Sequence, residues 1–230
     1  MSSEANVARD RLALALDVDS WGEAEQLVTR LRPWFGVAKM GLELYAGAGP
    51  DVIARLHDLG LRVFADLKLY DIPTTVERAA RALGRRGVDF LNFPAVGGVA
   101  MLRAGIGGLR EGAAEAGHAV PTALAVTVLT SESDAAAFPT RLDAAAASGC
   151  EGVVCSAFEV DLAHARGLRA MVPGVRFAES DRDDQMRVAT PGEAAARGAD
   201  WLVVGRAVTR AQEPEVAAQR LTDEVAVTRH

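Results

Sequence analysis

The chain is short of the features that mark several large classes of protein. No stretch of eighteen or more uncharged apolar residues occurs in its 230 residues, and the opening MSSEANVARD has no basic segment followed by an apolar one. Neither a membrane span nor a signal peptide is therefore expected, and the cytoplasm is the expected compartment. Only two cysteines occur, Cys150 and Cys155. They show no metal-ligand spacing with His57, His118, His164 or His230, and a disulfide framework needs more of them, so both read as core thiols. Basic charge is scarce too: 25 Lys and Arg against 31 Asp and Glu leave a net charge of −6. No Lys/Arg cluster is interleaved with aromatics, which argues against a nucleic-acid surface. An acidic chain binds a small anion through a few local donors rather than through a global field.

What is present is a regular alternation. Short apolar runs occur at 11–17 (RLALALD), 36–40 (GVAKM), 61–68 (LRVFADLK), 89–93 (DFLNF), 122–128 (TALAVTV), 152–156 (GVVCS), 168–175 (LRAMVPGV) and 201–205 (WLVVG). Between them lie helical patterns near 21–33, 50–59, 73–86, 99–116, 140–148, 158–167 and 191–197, with a last one at 214–226. Gly60, Gly87, Gly117, Gly149 and Gly198 stand where helix C-caps are expected. Strict strand-helix alternation implies a parallel sheet, and eight units imply a closed (β/α)₈ barrel. A doubly wound open sheet is the runner-up, but LDVDSWGEAE stands where its G-x-G-x-x-G turn belongs. No Pro/Gly/Ser-rich linker divides the chain, so one domain is expected over residues 1–230, with 1–10 as a flexible tail.

In such a barrel the C-terminal strand ends carry the active site. Here the first run ends in Asp17, the second in Lys39, and the third in Asp66 and Lys68. Residues two apart on a strand share a face, so Asp66 and Lys68 point the same way, inward. A buried charge is tolerated only among partners, and a ring of Lys39, Asp66, Lys68 and a further carboxylate such as Asp71 meets that condition. One such pair reads as a structural ion pair; four charges at one rim read as a reaction centre. Asp71 lies beyond the strand, just before Pro73, and two readings stand for it: its own pocket, or that of a second subunit.

The eighth run continues as Gly205-Arg206, where this fold commonly grips phosphate with backbone N–H groups and a cation; the plainer reading is a surface arginine after a turn. The loop PGVRFAESDRDDQMRVATP is long for a βα connection and reads as a lid. Gln185 and Arg187 within it are candidates to fold onto a phosphate, or are merely solvated.

Asp66-x-Lys68-x-x-Asp71-Ile72-Pro73-x-Thr75 resembles the signature of the orotidine 5′-monophosphate decarboxylase family. Further pieces follow in family order: LALDVD with Asp17, AKMG with Lys39, VTVLTS with Thr130, VCSA, PGVR, Asp184-Gln185 and VVGRAVT with Arg206. The resemblance implies a homodimer with active sites at the interface, converting orotidylate to uridylate with no metal or organic cofactor. It makes Lys68 the proton donor to the pyrimidine carbon and puts Asp66 beside the departing carboxylate. Asp71 of a partner subunit would complete the array with Lys39, and Ile72 and Thr75 would also cross the interface. Asp17 and Lys39 would hold the ribose, Thr130 the base, and Gln185, Gly205 and Arg206 the phosphate, with Pro173 in the substrate pocket.

Two departures stand out. Pro94 replaces the family's usual His in Phe93-Pro94-Ala95-Val96-Gly97-Gly98, and the lid carries Glu179 and Asp181-Arg182-Asp183 where small residues are usual. Two competing readings are a magnesium-dependent keto-sugar-phosphate decarboxylase or aldolase, which shares the D-x-K-x-x-D element, and a non-catalytic nucleotide-binding barrel. Ile72-Pro73-x-Thr75 and Gln185 speak against the first, the intact charge array against the second.

Overall fold

The computed structural model describes residues 3–127, 135–178 and 189–226. Eight parallel strands pair in sequence order and close on themselves: β1 (Leu12–Leu16), β2 (Val37–Gly41), β3 (Arg62–Asp66), β4 (Phe90–Pro94), β5 (Thr122–Val126), β6 (Gly152–Val154), β7 (Arg169–Pro173) and β8 (Trp201–Val204). The seam joins Leu12 to Leu202 and Leu14 to Val204. This is the expected (β/α)₈ barrel, with each of the eight apolar runs supplying one strand.

The helices are α1 (Ser3–Arg11), α2 (Trp21–Leu31), α3 (Leu42–Ala48), α4 (Val52–Asp58), α5 (Pro73–Arg85), α6 (Gly98–Glu115), α7 (Phe138–Ser148), α8 (Val160–His164), α9 (Pro191–Ala196), α10 (Arg206–Thr209) and α11 (Pro214–Ala226). The five glycines expected at C-caps all have positive φ, between 73° and 87°, a region closed to most side chains. Within residues 1–10, expected to be a tail, the structure describes a helix from Ser3 to Arg11 with Ala8 buried. Tertiary contacts hold it, since Arg11 donates to the Ala199 carbonyl at 2.6 Å and Arg9 to that of Arg32 at 3.2 Å.

Period-2 alternation splits every strand between two cores. Leu12, Leu14, Leu16, Val63, Ala65, Leu91 and Phe93 face outward against the helices. Ala13, Ala15, Val37, Phe64, Phe90, Leu124, Met171, Trp201 and Val203 fill the barrel interior. Inside, Phe90 packs edge-on against Phe64 at 6.3 Å and Trp201 at 5.1 Å. Arg62 and Arg169 stack on Phe90 and Trp201 at 5.4 and 4.6 Å. At the N-terminal end a clasp recurs: residues just ahead of β4, β6 and β8 accept a backbone N–H from the preceding odd strand. Val63 donates to Asp89 at 2.7 Å, Ala123 to Glu151 at 2.7 Å and Ala170 to Asp200 at 2.8 Å. One end of the barrel is thus packed and satisfied, leaving its chemistry to the other. Both cysteines are buried, and burial raises their thiols, Cys150 to about 11 and Cys155 higher still.

Helices α5 and α6 touch backbone to backbone. A Cβ on Gly112 would lie 2.0 Å from the Arg81 carbonyl oxygen, and one on Gly108 2.2 Å from that of Glu77. This contact fixes α5, which directly follows the segment carrying Asp71 and Ile72. Gly112→Ala is expected to destabilise the protein by about 1–3 kcal/mol in denaturant unfolding. Gly107→Ala, on the same helix with nothing within 4 Å of its Cβ, is expected to be neutral or stabilising by up to about 1 kcal/mol.

Candidate functional site

The C-terminal mouth of the barrel opens into a cavity of about 260 Å³. Its deep wall is apolar, with Phe64, Val126, Val154 and Val203, and its charged wall is formed by Asp17, Lys39, Asp66 and Lys68. Lys39 reaches it from the middle of β2, where every neighbour along the strand is apolar or glycine. The Lys39 ammonium donates to Asp17 Oδ1 at 2.9 Å and lies 3.5 Å from Asp66 Oδ2. The Lys68 ammonium donates to Asp66 Oδ1 at 2.5 Å. Signs therefore alternate along the wall, and side-chain exposure falls from 61% at Asp17 and 35% at Lys68 to 17% at Asp66 and 11% at Lys39. Gly41 lies against this chain of charges: a Cβ there would stand 3.4 Å from the Lys39 Nζ and 3.9 Å from Asp17 Oδ1.

Burial alone would raise the Asp66 carboxyl, but the charges of Lys39 and Lys68 and hydrogen bonds from Lys68 and Asn92 more than offset it. The group is held below the usual carboxylate range. It is therefore ionised at neutral pH in a mostly water-excluded wall.

Lys68 differs from the expectation in one respect. The strand ends at Asp66, and Lys68 lies beyond it at φ +47°, in a left-handed conformation rare for a side chain other than glycine's. The two side chains meet across this turn rather than along a regular strand face. Asn92, which the sequence reading did not single out, donates from Nδ2 to Asp66 Oδ1 at 2.7 Å and accepts the Lys68 backbone N–H at 2.8 Å. Its signal was available: a lone amide at an inward position of the otherwise apolar DFLNF run.

Pro173, Gly205 and Arg206 line the same cavity, together with Arg176. Gly205 lies against the first strand's end, where a Cβ would fall 3.4 Å from that of Ala15 and 3.6 Å from Asp17 Oδ2. Asp71, Ile72 and Thr75 do not join the cavity of their own chain. They are exposed at the start of α5, and the Asp71 carboxylate accepts the Ile72 N–H at 2.6 Å. Thr130, Gln185 and Arg187, and with them Glu179 and Asp181-Arg182-Asp183 of the lid, lie outside the described residues. Among the described residues no group of three or more His, Cys, Asp or Glu is arranged to hold a metal ion, and no helix is long and apolar enough to cross a membrane.

A closed barrel that gathers opposed charges at the C-terminal ends of its strands belongs to the class of (β/α)₈ enzymes. Comparison with known proteins narrows the class. The sequence profile described as "Orotidine 5′-phosphate decarboxylase / HUMPS family" matches residues 10–221. An orotidine 5′-phosphate decarboxylase of Moorella thermoacetica is 43% identical, covering 95% of this chain and 93% of the relative. One of Nitratidesulfovibrio vulgaris is 42% identical over 95% of this chain and 98% of its own. The crystal structure of the orotidine 5′-phosphate decarboxylase from Lactobacillus acidophilus superposes with a TM-score of 0.81 at 35% identity, covering 94% of this chain and 99% of that one. The chain belongs to the orotidine 5′-phosphate decarboxylase / HUMPS family.

Replacing the carboxylate at the centre of the wall exposes its energetics. Asp66→Asn is expected to lower stability by about 2–3 kcal/mol near neutrality, because two ammoniums lose their shared counter-charge. A carboxyl whose folded pKa is depressed contributes stability above its unfolded pKa and loses it as pH falls through the folded value. The gap between wild type and variant should hold above about pH 5 and close in more acid solution, as followed by urea unfolding.

Proposed function

We propose that the protein decarboxylates orotidine 5′-monophosphate to uridine 5′-monophosphate, without metal or organic cofactor, as a homodimer with shared active sites. The observation that carries this reading is the ionised Asp66 carboxylate fixed between the Lys39 and Lys68 ammoniums in a small apolar-floored cavity. Membership of the family supplies the substrate class.

Decarboxylation breaks the bond between a pyrimidine ring carbon and its carboxylate. The electron pair stays on the ring carbon, which has no good sink, and carbon dioxide leaves. Lys68 supplies an ammonium set before substrate arrives, so the charge that develops is met without reorganisation, and its proton then goes to the ring carbon. Asp66 stands beside the departing carboxylate, and like-charge repulsion there is relieved as carbon dioxide leaves. Asp17 and Lys39 take the ribose, Thr130 the base, and Gly205 and Arg206, with Gln185 and the neighbouring Pro173 turn, the phosphate. Arg206 gives a planar bidentate match to phosphate oxygens.

Asp71, Ile72 and Thr75 act in the partner's cavity. Supporting this is their exposure beside an apolar surface: Tyr70, Ile72 and Val96 are 62%, 66% and 59% exposed. Tyr70 lies next to Gly97, whose Cβ would approach it to 3.3 Å, so the residues form one patch.

Against a metal-dependent reaction at the same element stands the occupancy of Asp66. Each of its oxygens already faces an ammonium, and a ligated cation would displace a lysine. Purified protein mixed with orotidylate in the presence of chelator should consume the substrate absorbance. Lys68→Ala should slow this by at least about 10³-fold; no turnover by the wild type would overturn the assignment. The shared site has its own test. Lys68→Ala and Asp71→Ala, each inactive alone, should recover up to about a quarter of wild-type activity on mixing, because half the exchanged dimers carry one intact site. No recovery despite subunit exchange would place both residues in one chain's site.

A further inference from the structure

We infer that Asn92 is a positioning residue for this reaction, its amide clamping the Asp66 carboxylate and the Lys68 backbone together so that the ammonium enters the cavity in a single direction. The inference rests on the decarboxylation proposed above but goes beyond it.

Regular pairing of β3 with β4 stops at Ala65 and Leu91. Past that point Asn92 takes over the ladder. Its carbonyl accepts Leu69 N–H at 3.3 Å and its side-chain oxygen accepts Lys68 N–H at 2.8 Å. Lys68 sits between these anchors at φ +47°, a conformation that costs a non-glycine residue about 1–3 kcal/mol. Glycine would remove that strain and also the ammonium, so something must hold the lysine there.

Asn92 is 1% exposed, and a buried amide needs its partners. The direction of the amide follows from chemistry. A backbone N–H only donates, so Oδ1 must face Lys68 and Nδ2 must face Asp66. Asp66 Oδ1 is then required to accept, from Nδ2 at 2.7 Å and from Lys68 Nζ at 2.5 Å. The clamp therefore selects the ionised carboxylate as well as the place of the lysine. It is consistent with this that the Asn92 hydrogen bond is among the causes that hold Asp66 low.

Two variants separate the clamp from mere packing. Asn92→Ala removes both bonds. It is expected to lower kcat by about 10–100-fold, the usual effect of losing a group that orients a reacting side chain. KM should change less than about threefold, because the phosphate and ribose contacts are untouched. Asn92→Asp keeps the shape. Protonated, the new carboxyl donates to Asp66 and accepts from Lys68 as the amide does; ionised, it opposes Asp66. The charged groups facing it are Asp66 and Lys68, with Lys39 and Asp17 one step further along the wall. Its kcat should therefore fall as pH rises through the range where the shared proton is lost, a trend absent from wild type and from Asn92→Ala.

A readout without substrate accompanies these: ¹³C NMR titration of the Asp66 carboxyl, whose midpoint should move up in Asn92→Ala. If wild type fails to turn over orotidylate while the midpoint moves, the clamp stands and the decarboxylation reading falls. If wild type is active, and both variants keep its kcat, pH profile and Asp66 midpoint, the inference is overturned. It is equally overturned if activity falls only in proportion to a lost melting temperature, with pH profile and midpoint unchanged.

Discussion

The site depends on one carboxylate, Asp66, held between two ammoniums that would otherwise repel each other. Lys39 and Lys68 approach it from different strands, one from mid-strand and one from past a strand end, and Asn92 adds a neutral donor from a third. An anion so surrounded stays ionised despite burial, and each lysine is directed by it. The arrangement is preorganised in the sense that matters for catalysis: the charges are set before any substrate arrives.

Everything beneath serves to make that arrangement affordable. Phe64, Phe90, Leu124, Met171 and Trp201 fill the barrel below the charged wall, and the clasps at Asp89, Glu151 and Asp200 satisfy donors at the opposite end. The close α5–α6 contact anchors the helix that follows the exposed Asp71-Ile72 segment. If that segment completes a neighbour's cavity as proposed, it gains from being fixed before the neighbour arrives. Fold and site are thus coupled through packing on both sides of the sheet.

Much of this was legible in the sequence, and what was not has physical reasons. Eight β-rich runs and the C-cap glycines announced the barrel because each strand is buried on both faces and each cap needs positive φ. Helix α3 was missed because Leu44 is its one buried residue, and α10 because four residues hold no period. Helix α1 has Ala8 as its buried contact and is held by arginines reaching distant carbonyls, which no local pattern records. Asp17, Asp66, Lys68, Gly205 and Arg206 were legible as charges and a glycine at strand ends, Lys39 was expected at an end but stands in mid-strand, Pro173 followed from the family resemblance, and one cavity gathers them all. The left-handed turn at Lys68 was not, since spacing suggested a continuous strand. Asp71 kept two readings on sequence alone, and the cavity of its own chain does not include it.

The most direct measurement of the central claim is a crystal structure of the protein with uridylate bound. The account requires the Lys68 ammonium within about 3.5 Å of the ring carbon that loses the carboxylate, with Asp66 beside the vacated position and the phosphate against Gly205 and Arg206. A nucleotide seated with that carbon turned away from Lys68, or with its phosphate at another rim, would contradict it.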